Sequence, residues 1–154
     1  MDVLKDFKKF IGVFPSNVVP IIQIDCKRFK SMIVNTNKYK DKGMGHWLLV
    51  TFFFLDEVLT SCEVFDSLGG GEKSVPLHLS EYISNLRVDV KYSNIRLQAF
   101  NSDFCGIFCI TRFLSILIDE KHTRFMKYFN LKFVERNDRK LVSLISEYIK
   151  KING

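Results

Sequence analysis

The segment 104–120 places the strongest constraint on how this chain of 154 residues can fold. Its apolar residues lie on nearly every face of a helix, and a helix of that kind is stable only when other elements surround it. Thr111 and Arg112 interrupt the apolar run, so it does not have the pattern of a membrane span. The sequence therefore predicts a buried central helix in a globular domain with one core.

A second apolar segment, residues 46–55, is nearly continuous and is typical of a central β-strand. Further strands are expected at 30–36, 60–66 and 88–98, and helices at 2–11, 77–86 and 141–152. The polar pair Asp56-Glu57 indicates a turn that would make the strands at 46–55 and 60–66 neighbours. The expected fold class is α+β: a central mixed β-sheet flanked by helices, in one domain over residues 1–154.

The charge of the chain is compatible with a polyanionic partner but does not require one. It has 23 basic and 17 acidic residues, a net charge of +6, and the two signs are interleaved. Lys38, Lys40 and Lys42 form a basic stretch that would contact DNA or an acidic substrate, or would simply be a solvated loop. The N-terminus has no signal-peptide pattern, which predicts an intracellular, soluble protein that is not secreted, not membrane-bound and monomeric.

Four cysteines occur at positions that do not form a metal motif. No C-x-x-C pair exists among Cys26, Cys62, Cys105 and Cys109, so we expect no metal site. Cys109 follows Cys105 by one helical turn, and core packing is the expected role for it. We expect Cys26 and Cys62 to be structural or surface thiols. His78 and His122 are expected at the surface, and Gly69-Gly70-Gly71 indicates a flexible loop.

Cys105 has the sequence context of a nucleophile. It follows the cap-like residues Asn101-Ser102-Asp103 and opens the apolar helix. The partial positive charge of a helix N-terminus favours thiolate over thiol, and thiolate is the reactive form. Gly106 removes a side chain that would block approach to the sulfur.

Three further residues complete a set that could break an amide bond. His46 could share the thiol proton, and Asp66 could orient the imidazole through its other nitrogen. Gln98, expected to be partly solvent-facing, could donate its amide to an oxyanion together with the Cys105 N–H. Each residue alone has an ordinary explanation: a buried thiol, a satisfied histidine, a loop cap, a polar side chain. The four together predict a cysteine protease with the catalytic residues His46, Asp66, Cys105 and Gln98.

Several motifs resemble the adenain-type cysteine proteases, the maturation proteases of adenoviruses, related virophages and Maverick/Polinton elements. The similarity covers residues 10–115 and lies in short blocks that are specific when found together. These blocks are Phe10-Ile11-Gly12-Val13-Phe14, Val19-Pro20, Ile33-Val34-Asn35-Thr36, Gly45-His46-Trp47, Phe65-Asp66-Ser67, Gln98 and Asp103-Phe104-Cys105-Gly106-Ile107-Phe108-Cys109.

The resemblance implies an adenain-like fold and an endopeptidase that cleaves viral capsid precursors, in the host cell and the virion. It implies that the chemistry itself needs no cofactor, and that DNA or a peptide could act as an activator. The SUMO-type deconjugating proteases share the same four-residue site, and Asp66 is more like theirs because adenain has Glu at that position. A deconjugating protease therefore remains an alternative, and a basic DNA-binding accessory protein is the alternative that is not an enzyme.

Overall fold

The computed structural model describes residues 8–19, 28–38, 40–43 and 45–154. Within them a five-stranded sheet has the order β1-β2-β3-β4-β5. The strands are β1 Phe10–Pro15, β2 Phe29–Asn35, β3 Trp47–Leu55, β4 Val58–Phe65 and β5 Asp89–Tyr92. The α-helices are α1 Leu77–Asn85, α2 Cys105–Leu117, α3 His122–Lys127 and α4 Asn137–Asn153. Short 3₁₀ turns cover Glu72–Ser74 and Val134–Arg136.

The sheet is mixed, with an antiparallel centre and two parallel outer pairings. β2, β3 and β4 pair antiparallel, whereas β1 runs parallel to β2 and β5 runs parallel to β4. Asp56 and Glu57 join β3 to β4 and both have positive φ, 48° and 66°. Two such residues form the hairpin turn whose twist matches that of the strands. The predicted turn and the predicted pairing of the two strands are therefore confirmed.

Helices cover both faces of the sheet, which confirms the α+β class. β3 is buried on both faces: Leu49 belongs to one apolar cluster, and Leu48 and Val50 belong to the other. α1 packs on the second cluster through Leu79 and Ile83. α2 and α4 pack on the first cluster, where their fully buried side chains are Phe108, Cys109, Leu141 and Tyr148.

The central helix α2 is less enclosed than its sequence predicts. Most of its residues are buried against the sheet and α4, but Ile107 and Ile110 remain exposed. The helix therefore has a third side that faces solvent, because the described elements cover only two sides. No helix in residues 8–19, 28–38, 40–43 and 45–154 combines the length and apolar character needed to cross a bilayer.

Three predicted elements differ from the structure, and one short helix was not predicted. The helix expected at 2–11 falls largely outside the described residues, and Phe10 and Ile11 lie in β1 instead. The strand expected at 88–98 ends at Tyr92, because the N–H groups of Leu97 and Gln98 bond to the carbonyl of Ser67. α3 was not predicted from the sequence, since six residues give too little periodicity. α4 begins at Asn137 rather than at residue 141.

A buried ion pair joins α2 to the sheet. The guanidinium of Arg112 binds both carboxylate oxygens of Glu63 in β4, at 2.9 and 3.0 Å. Arg112 also donates to Ser115 and lies over the ring of Phe125. Both charged side chains are almost fully buried, so the charge of each must be compensated by the other.

Removing one partner of this pair should destabilise the fold strongly. We expect Arg112→Leu to lower the free energy of unfolding by about 3–5 kcal/mol, because it leaves the Glu63 carboxylate buried and unpaired. Urea denaturation measures the change. The control is Lys151→Ala, which breaks the exposed pair with Glu147 and should change stability little. Equal effects of the two substitutions would contradict the prediction, and the double variant Glu63→Leu/Arg112→Leu should recover most of the loss.

Candidate active site

His46 and Asp66 meet because β3 and β4 are neighbours. His46 immediately precedes β3 and Asp66 immediately follows β4, and these two strand ends are adjacent in the antiparallel register. The backbone of His46 is fixed by Thr36, whose hydroxyl accepts from the His46 N–H at 2.9 Å. Gly45 before it has φ 60°, and a Cβ there would lie 2.1 Å from Oδ1 of Asn35. Glycine is therefore required for the approach of His46 to the sheet.

The imidazole of His46 is hydrogen-bonded to Asp66 as the sequence predicts. The distance from His46 Nε2 to Asp66 Oδ1 is 2.6 Å, and Asp66 is only 3% exposed. The bond fixes the ring orientation and places a proton on Nε2. Nδ1 is then the ring nitrogen available to the thiol of Cys105, with which His46 also interacts.

The loop after Asp66 holds the carboxylate in place. Oδ1 also accepts from the N–H of Leu68 at 2.8 Å, and Oδ2 accepts from the N–H of Gly70 and the hydroxyl of Ser74 at 3.0 and 3.1 Å. A Cβ on Gly70 would lie 2.4 Å from Cβ of Ser74 and 3.0 Å from Asp66 Oδ2. The glycine segment therefore has a role that its sequence does not reveal: its backbone closes around the carboxylate.

Cys105 is the first residue of α2 and is 9% exposed. Burial disfavours the thiolate, but the hydrogen bond from His46 and the backbone bonds from Trp47 and Gly106 outweigh it. The pKa of the Cys105 thiol is therefore lowered from its usual range. Burial lowers the pKa of His46, yet Asp66 and Cys105 more than reverse this effect and raise the pKa to about 9. The two shifts together favour a thiolate–imidazolium pair.

Gln98 lies deeper in the protein than predicted. It is 2% exposed, so the expectation of a partly solvent-facing side chain is wrong. Its Oε1 accepts from the hydroxyl of Ser67 at 2.5 Å, and its Nε2 donates to the carbonyl of Ser102 at 2.6 Å. A side-chain amide has two N–H donors, so one N–H of Gln98 is left after the bond to Ser102. Ser102 lies in the loop that leads to Cys105, which ties Gln98 to that loop.

Two residues of the C-terminal helix α4 that no sequence pattern assigns to the site, Asn137 and Asp138, fix this loop. The buried side chain of Asn137 donates to the carbonyl of Leu97 at 2.8 Å. The hydroxyl of Ser102 donates to Asp138 Oδ2 at 2.8 Å and accepts from the N–H of Phe104 at 3.2 Å. These contacts join residues 36 to 40 positions apart or close neighbours in a loop, and no local pattern in the sequence predicts them.

Of the remaining cysteines and histidines, those that the structure describes lie outside this constellation. Cys109 is fully buried beside the carbonyl of Trp47, and Cys62 is buried in the opposite cluster, where desolvation raises its pKa to about 12. Cys26 lies outside the described residues. His78 is exposed as predicted, but His122 is half-buried and lines a small cavity with Glu63. Among the described residues, no cluster of His, Cys, Asp and Glu could hold a metal ion.

Comparison with known proteins adds no family to this geometry. No protein-family model matches the chain, and no curated protein matches it either. The arrangement of His46, Asp66, Gln98 and Cys105 is therefore the basis for assigning a function.

The lowered pKa of Cys105 should be visible in alkylation. At mildly acidic pH we expect iodoacetamide to label Cys105 well before Cys62 or Cys109, because burial raises the pKa of both other thiols. Mass spectrometry of the digested protein gives the rate at each site. His46→Ala should move the labelling of Cys105 to higher pH, since the imidazolium partner is lost. Uniform labelling of the thiols, or an unchanged pH profile in His46→Ala, would contradict this expectation.

Proposed function

We propose that this chain is a cysteine endopeptidase with His46, Asp66, Cys105 and Gln98 as its catalytic residues. The observation that carries the proposal is the hydrogen bond of His46 to the buried carboxylate of Asp66, with Cys105 at the start of a helix. A structural histidine needs one satisfied ring nitrogen, but here the imidazole that a buried carboxylate holds also lowers the pKa of the Cys105 thiol. That arrangement is what a thiol nucleophile requires.

The residues support a complete hydrolytic cycle. The thiolate of Cys105 attacks the carbonyl carbon of the scissile bond, and the resulting oxyanion accepts from the Cys105 N–H and the remaining N–H of Gln98. The imidazolium of His46 gives its proton to the leaving amine, and a thioester forms at Cys105. His46 then takes a proton from water, whose oxygen attacks the thioester. Collapse of this intermediate releases the carboxylic acid and restores the thiolate–imidazolium pair.

The N–H of Cys105 is available because of its position in the helix. The first N–H groups of an α-helix have no intrahelical acceptor, and Cys105 is the first residue of α2. The same helix end carries partial positive charge, which stabilises both the thiolate and the oxyanion. An adenain-like fold with the nucleophile at the start of a central helix is thus the arrangement that we propose.

The substrate class follows from the resemblance and is part of the proposal. Viral capsid precursors are the expected substrates, with DNA or a peptide as an activator. The net charge of +6 and the exposed side chains of Lys38 and Lys42 are compatible with DNA as a partner. Asp66 in place of Glu favours the second candidate, a protease that removes ubiquitin-like proteins from conjugates.

Incubation with substrates tests both candidates. We expect wild-type protein to cut capsid precursor proteins, with the new N-termini mapped by mass spectrometry, while Cys105→Ala leaves them intact. Cys62→Ala is the matched control, because it also removes a buried thiol but in the opposite cluster, and it should retain activity. Cleavage only of ubiquitin-like conjugates would support the second candidate. Activity that survives in Cys105→Ala would exclude the proposed nucleophile.

Asp66→Asn should lower both turnover and stability. Asn can orient His46 only in the wrong tautomer, so we expect a loss of turnover of about a hundredfold or more. The structure also shows that Asp66 accepts from four donors, from His46, Leu68, Gly70 and Ser74. An amide cannot accept from all of them, so the free energy of unfolding should fall by about 1–3 kcal/mol.

The expected loss of stability follows from the donors in the loop, which are visible only in the structure. Asp41→Asn is the control: this exposed carboxylate accepts from the N–H of Lys38 at 2.8 Å, and its replacement should affect neither quantity much. Steady-state kinetics and urea denaturation measure the two changes. Full activity in Asp66→Asn would remove Asp66 from the mechanism.

A further inference from the structure

Ser67 makes three hydrogen bonds that all act on the segment around Gln98. Its hydroxyl donates to Gln98 Oε1 at 2.5 Å. Its carbonyl accepts from the N–H of Leu97 at 2.8 Å and from the N–H of Gln98 at 3.0 Å. The side chain of Ser67 is fully buried, so these contacts do not compete with solvent. Ser67 therefore holds both the backbone and the side-chain amide of Gln98.

The contacts of Gln98 admit only one orientation of its amide. The carbonyl of Ser102 can only accept, so the NH₂ end of Gln98 must face it. Oε1 then faces Ser67, whose hydroxyl supplies the donor that this oxygen needs. With the amide turned over, Oε1 would face the Ser102 carbonyl and that bond would be lost, while the Ser67 hydroxyl would have to accept from the NH₂ group instead of donating to Oε1. In the observed orientation Nε2 keeps one N–H for another acceptor.

We propose that Ser67 is a positioning residue that fixes the amide of Gln98 for the oxyanion. The inference rests on the proposed protease function, because only in that function does the remaining N–H of Gln98 donate to an oxyanion. Ser67 lies in the turn that the Gly69 N–H closes on the Asp66 carbonyl at 3.0 Å, directly after β4. Asp66 reaches His46, and Ser67 reaches Gln98. The dipeptide that follows β4 thus positions the general base with one side chain and the oxyanion donor with the next.

A serine that only fills and satisfies the core would behave differently from a positioning residue. Its removal would lower stability, and its effect on turnover would not depend on which side chain occupies position 98. A positioning residue acts through its partner, so its effect should vanish when the partner is absent. A double-mutant cycle between Ser67 and Gln98 separates the two roles.

The kinetic experiment compares Ser67→Ala, Gln98→Ala and the double variant on a cleaved peptide. We expect Ser67→Ala to lower kcat about tenfold with KM nearly unchanged. The substitution removes the hydrogen bond from Ser67 that holds the side-chain amide of Gln98. Gln98→Ala should lower kcat about a hundredfold or more, and adding Ser67→Ala should cause no further loss. The same loss in both backgrounds, or no loss in Ser67→Ala, would overturn the proposal.

A matched control separates positioning from general loss of stability. Ser31 is also fully buried, and its hydroxyl is bonded to that of Thr51 at 2.8 Å in the sheet. Ser31→Ala should lower stability without changing kcat. The pH profile of Cys105 alkylation should stay the same in Ser67→Ala, because the contacts from Asp66 to Cys105 remain. A changed profile would mean that Ser67 acts on the thiol rather than on Gln98, and would overturn the proposal.

A spectroscopic measurement decides the placement of Gln98 whether or not the chain cleaves a substrate. The side-chain NH₂ signals of Gln98 in the nitrogen–proton spectrum are identified by their loss in Gln98→Ala. We expect these signals to shift and to exchange faster with water in Ser67→Ala, since a buried hydrogen bond is lost. Unchanged signals would overturn the positioning role. If Cys105→Ala is fully active but the signals respond, the protease proposal fails while the placement of Gln98 by Ser67 stands.

Discussion

The buried carboxylate of Asp66 is the interaction on which the rest of the site depends. A charged group that is 3% exposed is stable only when donors surround it, and four donors do so here. Two of them are backbone N–H groups of the glycine loop, so the carboxylate organises the loop while the loop restrains the carboxylate. His46 is one of these four donors, and its contacts with Asp66 and Cys105 together raise the pKa of the imidazole. The thiol of Cys105 acquires its character in turn from the imidazole.

The sheet fixes the positions of His46 and Asp66, and the helices pack against the sheet around them. The hairpin of β3 and β4 brings residues 46 and 66 together, and α2 is packed over the same face of the sheet. Arg112, seven residues after the start of α2 at Cys105, joins this helix to β4 through its ion pair with Glu63. A shift of α2 relative to the sheet would therefore have to break a buried ion pair. The fold resists the movement that would separate Cys105 from His46.

The sequence was informative where the signal is local. The apolar run of β3, the turn at Asp56-Glu57 and the start of α2 all have patterns that depend on neighbouring residues, and the predictions for them agree with the structure. The hydrogen bond between His46 and Asp66 was also predicted, because the hairpin fixes which strand ends meet. The burial of Gln98 and the contacts of Asn137 were not predictable in this way. They depend on tertiary hydrogen bonds between distant segments, which leave no periodicity in the sequence.

The ties from α4 to the loop before Cys105 have a consequence for the order in which the site forms. A polypeptide leaves the ribosome from its N-terminus, so residues 46, 66 and 105 emerge before Asn137 and Asp138. Until α4 has been made, the Leu97 carbonyl and the Ser102 hydroxyl lack their partners on it. Full restraint of the loop that carries Gln98 comes only with the last helix. In the protease that we propose, the placement of the oxyanion donor therefore depends on the part of the chain that is made last.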